Sequence, residues 1–454
     1  MHSALGGRSV PGAPVSTKPA IVTIFARGGI DPLNAIIPHG DQANYANLRP
    51  NLHFTKQGTP VGARGPAGNS LQLSNYAQVG IHPGLQEIKS LIESLNMAVV
   101  HRVGNTVAPQ RSHFTEMHLL ETGLGNYNSS AQGWLPQCTP SLSSGAVMPS
   151  VSLSNRMMRM YQGDGPNNSA LIQGAYESTS GTRSFDIPFG EPNTPSELIA
   201  DGVERSLNNP GNYPLAGQAI NLRGTMATAI DLQAQLRNST FAHNGSLYPS
   251  QAGDTAPWDV AKYGTFFDRL EEGMHYLRND FTDCVGVELG GWDTHRDQLV
   301  RHNELMPVLA RAIRSAYDDL TTIGRPFVVL VVSEFGRTLA DNGSGTDHGV
   351  GGFCLVAGSN VNGGVYNCSQ GGWSQLVGTP SGVKPWRNLN LPASQTTYEN
   401  ALEPATDFRT VLVEIAKKHF GVPAGQLINL PDVGSEWDMV NSSTQQRFTE
   451  LGIL

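Results

Sequence analysis

Phe327-Val328-Val329-Leu330-Val331-Val332 runs directly into Ser333-Glu334-Phe335-Gly336-Arg337, and then into Gly345-Thr346-Asp347-His348-Gly349. An apolar, mostly β-branched run without alternation describes a central strand covered on both faces. Polar, metal-competent side chains begin where that strand stops. In open α/β sheets ligands sit beyond the carboxyl ends of the strands, which puts Glu334, Asp347 and His348 where such a fold carries its chemistry.

The rest of the chain repeats this arrangement. Ala20-Ile21-Val22-Thr23-Ile24-Phe25 is a second buried strand, leaving through Arg27-Gly28-Gly29-Ile30-Asp31-Pro32-Leu33-Asn34. A third, Met97 to Gly104, leads to Gln110-Arg111-Ser112-His113-Phe114 at the head of a helix reaching Gly123. A fourth, Cys284 to Leu289, ends in Gly291-Trp292-Asp293-Thr294-His295, and a further strand is expected over Phe353 to Ala357. Amphipathic periodicity predicts helices over Gly84 to Leu95, Asn303 to Ile323 and Phe408 to Phe420. Strands alternating with helices predict an α/β fold with a doubly wound, mostly parallel central sheet flanked by helices. The expected organisation is a flexible tail over 1–19 and a single domain over 20–454, with a mainly helical or loop insertion within 124–280. In that insertion 215–237 and 259–279 read as helical and 148–153 as a strand.

Composition narrows the function. A net charge of -8 with 15% charged residues offers no basic stripe for a polyanion, so nucleic acid is not an expected partner. No apolar run approaches the roughly 18 residues of a transmembrane segment. Met1 to Ala20 has no apolar core and no twin arginine, so no export signal is expected in this chain, and the tail is compatible with the remnant of a removed leader. Cys138, Cys284, Cys354 and Cys368 lack the spacing of a structural zinc site, although Cys354 and Cys368 flank a turn across which they could pair. Met157, Met158 and Met160 read as packing.

Four strand ends therefore each deliver a polar set. Asp31, Asp293, His295, Glu334, Asp347 and His348 are the candidate metal ligands, and Ser112, Arg111, His113 and Arg337 the candidate catalytic residues. Oxygen and nitrogen donors suit a divalent ion, zinc first, with calcium, magnesium, manganese, iron and copper as alternatives. An ion would lower the pKa of the Ser112 hydroxyl, and Arg27, Arg111 or Arg337 would hold the remaining anionic oxygens. Each element has a plainer reading. Asp31 can cap a turn before Pro32, Ser112 can be an N-cap only, and a lone Asp-x-His is more often a hydrogen-bonded pair than a ligand pair.

Taken in order from about residue 20 to 421, these motifs resemble a large family of bacterial proteins of unknown function, usually exported by the twin-arginine route and related to the alkaline phosphatase and sulfatase superfamily. The resemblance implies an alkaline-phosphatase-like fold, an exported protein that is periplasmic or extracellular, Ser112 as nucleophile, and Asp/His pairs as metal ligands. The stretch Ser112 to Gly123 is also similar to the serine-headed helix of cofactor-independent phosphoglycerate mutases. The chain departs from the superfamily in spacing, with Asp293-Thr294-His295 in place of Asp-x-x-x-His and Ser333-Glu334 where an Asp-His pair is usual. Ser112-His113-Phe114-Thr115 lacks the pattern for formylglycine, which disfavours a sulfatase.

The expectation is thus a metal-dependent hydrolase or transferase acting on a small-molecule or polymeric anionic ester of the phosphate type. Redox chemistry in the same pocket, or a non-catalytic exported surface or assembly protein, are the alternatives.

Overall fold

Among the described residues, nine strands form one central sheet: β1 (Ala20–Ala26), β2 (Met97–Gly104), β3 (Ser150–Leu153), β4 (Ala170–Leu171), β5 (Cys284–Leu289), β6 (Phe327–Val332), β7 (Gly352–Gly358), β8 (Gly364–Tyr366) and β9 (Thr406–Asp407). This computed structural model describes residues 17–56, 68–107, 109–138, 150–154, 157–163, 170–171, 176–179, 182–185, 240–367, 386–387, 397–398, 401–402, 404–423 and 450–454. The order across the sheet is β8-β2-β7-β6-β1-β5-β3-β4, with β9 also on β2. Strand β1 pairs in parallel with both β5 and β6. Only β7 runs against its neighbours, β6 and β2, and the other pairings are parallel.

Both faces are covered, as the uniformly apolar strands demand. Val22, Ile24, Val329 and Val331 belong to one apolar cluster, together with residues of helices α1 (Gln86–Glu93), α3 (Val260–Arg278) and α4 (Gln298–Ile323). Ile21, Phe25, Val328, Leu330 and Val332 belong to a second, with residues of α2 (His113–Thr122) and α5 (Phe408–Glu414). Alternate residues of one strand point to opposite faces, so a run without polar interruption fills two cores at once. The molecule is a mixed α/β protein with a large, mostly parallel central sheet flanked by helices.

The antiparallel β7 shapes the site. The chain leaves β6 at Val332, crosses the rim with residues 333–351 and returns down β7 from Gly352. One long connection therefore lies over the carboxyl ends of β1 and β6. Gly336 lets it fold tightly there, since a Cβ at this position would stand 1.9 Å from the Gly351 carbonyl oxygen.

Several elements differ from the sequence expectations. Helix α4 starts at Gln298 rather than Asn303, because the Gln298 amide is buried and bonds to Asp31, Thr294 and Thr346. The last helix keeps α geometry only to Glu414 and closes with a π turn over Ile415–His419. Cys354 is a buried free thiol, so the pairing weighed for it is not formed; Cys368 lies outside the described residues. The helix expected over 215–237 and most of the tail over 1–19 also lie outside them, whereas α3 fills the helix expected over 259–279. No helix among the described residues is long and apolar enough to cross a membrane.

A buried ion pair joins the loops beyond β1 and β6. Asp31 caps the one-turn helix Pro32–Ala35 by accepting from the Leu33 N–H at 3.0 Å, and its other oxygen receives Arg49 Nη1. Arg49 donates further to the Leu339 carbonyl at 2.8 Å and the Thr338 carbonyl at 2.6 Å. Burial works to raise the Asp31 pKa, but the charge and hydrogen bond of Arg49 outweigh it and leave the carboxyl below its ordinary range. Because the folded-state pKa is depressed, this stabilisation is present above the ordinary carboxylate range and is lost as pH falls below it. Arg49→Met strands a buried carboxylate and is expected to cost about 3–5 kcal/mol in urea unfolding. Pairing it with Asp31→Asn should recover much of the loss, since no unpaired charge then remains.

Candidate metal centre

His113, Asp293 and His348 each offer a donor atom, all within 4.8 Å of one another, a group able to hold a metal ion. The three come from the head of α2, the loop after β5 and the loop before β7. His295, in the same loop as Asp293, adds a fourth donor: its Nε2 lies 3.0 Å from His348 Nε2 and 3.1 Å from Asp293 Oδ1. His348 Nε2 is 3.3 Å from Asp293 Oδ1, and His113 Nε2 is 3.5 Å from Asp293 Oδ2. Ligands at about 2.1 Å from one ion stand roughly 3.0–3.4 Å apart along the edges of an octahedron or tetrahedron. The distances from each imidazole to Asp293 fall in or near that range, and the His113, Asp293 and His348 donors together lie within 4.8 Å.

The second nitrogen of every imidazole is fixed. His113 Nδ1 lies 2.6 Å from Glu334 Oε1, His295 Nδ1 2.8 Å from Asp347 Oδ1 and His348 Nδ1 2.9 Å from the Arg111 carbonyl oxygen. Carboxylates and carbonyls only accept, so each Nδ1 carries the proton and each Nε2 keeps its lone pair in the neutral ring. This arrangement orients metal-binding histidines in general. It also leaves acceptors facing acceptors. His113 Nε2 is buried without a hydrogen-bond partner, and the lone pairs of His295 and His348 confront each other and Asp293. A cation among them removes the conflict, and the residues present fit one.

The frame around these donors is rigid. Glu334 is buried and accepts the Gly28 N–H at 2.8 Å as well as His113. Gly28 has φ +124° and lies so close to the β5 exit that a Cβ would be 2.2 Å from the Asp293 nitrogen. Only glycine serves there. Arg337, fully buried, bonds to Asp293 Oδ1 at 2.7 Å and to the carbonyls of Gly28, Gly29, Trp292 and Thr346. Burial pushes the Asp293 pKa up, but Arg337, with His113 and His295, overrides it and holds the carboxyl at about 2. Hydrogen bonding to Glu334 raises the His113 pKa against the opposing effect of burial, whereas burial lowers that of His348.

The ten residues singled out in the sequence thus separate. Asp293, His295 and His348 come together as expected, and His113 joins them, having been assigned to catalysis. Glu334 and Asp347 stand one shell back as the partners of His113 and His295. Asp31 is engaged by Leu33, Arg49 and Gln298 and takes no part in the cluster; the Arg49 guanidinium supplies its positive charge. Arg337 ties strand exits together and is not placed to grip a substrate anion, and Arg27 is paired with Glu121 and Glu288. Arg111 binds the His348 carbonyl through Nε at 2.6 Å. Ser112 occupies the N-cap position of α2, yet its side chain makes no capping bond. Arg49 and Gln298 were missed by sequence reasoning, because no spacing rule marks a buried partner so distant in the chain.

Fold and site together define an α/β protein with a candidate metal centre of imidazoles and a carboxylate at the carboxyl rim of its sheet. Residues 275–377 match a family described as a protein of unknown function, DUF1501. That stretch holds Asp293, His295, Glu334, Arg337, Asp347 and His348, but not His113. No curated protein matches the sequence.

His113→Ala, His348→Ala and Asp293→Asn are each expected to abolish stoichiometric metal binding, read by calorimetry and elemental analysis. Glu334→Gln, which removes only the orienting carboxylate, should weaken affinity by about 10–100-fold. Because the metal must displace a proton from His113, whose pKa is raised, affinity should rise with pH through the region above the ordinary histidine value.

Proposed function

We propose that this protein is a metal-dependent hydrolase or transferase of phosphate-type esters, with Ser112 as nucleophile. The observation that carries the reading is the convergence of three Nε2 atoms on the Asp293 carboxylate beside a helix N-terminus headed by a serine without a capping bond. His113, Asp293, His295 and His348 would hold the ion, which would supply Lewis-acid polarisation and make a nearby hydroxyl more acidic.

The chain's own groups have definable parts. Glu334 and Asp347 keep the Nδ1 protons of His113 and His295 in place, so both Nε2 atoms face inward. The first turn of α2 carries the positive end of the helix dipole, which favours an alkoxide at Ser112 and an anion beside it. The Ser112 Oγ–phosphorus bond forms as the ester P–O bond breaks, and the serine proton leaves with the departing alcohol. Water then cleaves the phosphoserine, releasing inorganic phosphate and restoring the hydroxyl.

A sheet of the alkaline-phosphatase type and work outside the cytoplasm belong to the same proposal. The mostly parallel sheet with its ligands at the carboxyl rim supports the first, and the motif resemblance supports both. Redox chemistry is a second reading, favoured by the majority of imidazole donors, which suit iron and copper as well as zinc. Absorption spectra of the isolated protein separate the two, since zinc is silent where iron and copper absorb.

The full chain, loaded with zinc, manganese or iron, is expected to release phosphate from aryl and alkyl phosphate esters. Ser112→Ala should lower kcat by at least ~10³-fold with metal content unchanged. Equal turnover by the variant would remove Ser112 from the chemistry, and a chain unable to bind metal would remove the hydrolase reading.

A further inference from the structure

An open cavity of about 400 Å3 lies on the outer side of α2, walled by Phe114, Met117, His118, Met157, Arg27 and Arg159 among others. Helix positions four apart share a face about 6 Å along the axis, so Met117 stands one turn above His113 and His118 one turn above Phe114. Both walls are continuous with the metal centre through the chain. Phe114 follows His113, and Arg27 precedes Gly28, whose N–H holds Glu334.

The polar groups of this cavity already have partners. Arg27 pairs with Glu121 and Glu288, Arg159 Nε bonds the Ala131 carbonyl at 3.1 Å, and His118 Nε2 meets the Asn128 carbonyl at 2.7 Å. The charges of Arg27 and Arg159 balance those of Glu121 and Glu288, so the cavity exerts no net pull on an ion. The Met117 sulfur is likewise taken, accepting from Arg27 Nη1 at 2.7 Å, and aromatic surface remains. Phe114 is 80% exposed, and the Tyr127 ring, 60% exposed, lies 4.5 Å from that of His118. Exposed rings favour a flat, uncharged aromatic group.

We infer that this cavity binds the organic half of the ester, and that this half is aromatic. The inference rests on the hydrolase reading, because it assigns the metal centre to the phosphoryl end and the cavity to the alcohol end of one substrate.

Fluorine NMR with 4-fluorophenol as probe tests the cavity without requiring turnover. Saturable binding is expected for the wild-type chain, about five- to tenfold weaker in Phe114→Ala and unchanged in Asp293→Asn. Phe114 is exposed, so its truncation tests contact and not folding. In parallel, Phe114→Ala should raise KM for phenyl phosphate and leave methyl phosphate unaffected. Equal affinity of wild type and Phe114→Ala for the probe, or no saturable binding to wild type, overturns the inference. Binding with the expected variant pattern but no turnover of either ester upholds the aromatic site and rejects the hydrolase reading.

Discussion

The site depends first on the guanidinium of Arg337. Buried in the crossing between β6 and β7, it collects the carbonyls of Gly28 and Gly29 beyond β1, Trp292 beyond β5 and Thr346 in its own loop, and it grips Asp293. Carbonyls at strand exits have no ladder partner, and leaving them buried and unpaired would be costly. A planar fork with five donors satisfies several at once and fixes the spacing of the loops. It also keeps Asp293 ionised beside three imidazoles. The same side chain therefore closes the fold at its rim and keeps the candidate metal centre negatively charged at Asp293.

What the frame holds is under tension. Arg111 has φ +54°, a left-handed conformation that costs a non-glycine residue roughly 1–2 kcal/mol. Its conformation is maintained by a reciprocal pair of contacts, Nε to the His348 carbonyl and its own carbonyl to His348 Nδ1. The strained residue thus selects the His348 tautomer. Next to it, Ser112 heads α2 without the capping bond a serine in that position commonly makes. A backbone outlier, a buried orphan nitrogen at His113 and confronted lone pairs at His295 and His348 accumulate within a few residues of one another. Strain of this kind persists where the surroundings over-determine it and where function uses it.

Much of this was legible in the sequence, for identifiable reasons. The two-sided apolar strand Phe327–Val332 announced the sheet, and the polar residues at its end announced the rim, because both follow from burial and topology. Asp293, His295 and His348 were readable as neighbours in one cluster since they combine ligand chemistry with strand-end placement. Asp31 fits that rule equally well and is nevertheless a structural anion. The difference is Arg49, which reaches it from just beyond the end of the short helix Gln42–Leu48, a stretch that carries no motif. Glu334 and Asp347 were read as candidate ligands and bond instead to His113 and His295, because sequence gives the chemistry of a carboxylate and not which side chain stands beside it. The antiparallel return along β7 was equally hidden, since strand direction leaves no trace in a short apolar run.

The centre is also asymmetric, and the asymmetry gives it a direction. On one side Glu334 has a side chain only 1% exposed and its partner His113 is 23% exposed. On the other, Asp347 is 58% exposed and its partner His295 is 43% exposed. Buried carboxylate–imidazole pairs lose little entropy on holding an ion and stay put, whereas exposed pairs are screened and exchange partners readily. His113 and Glu334 thus form the buried side of the cluster, and His295 with Asp347 its solvent-facing side.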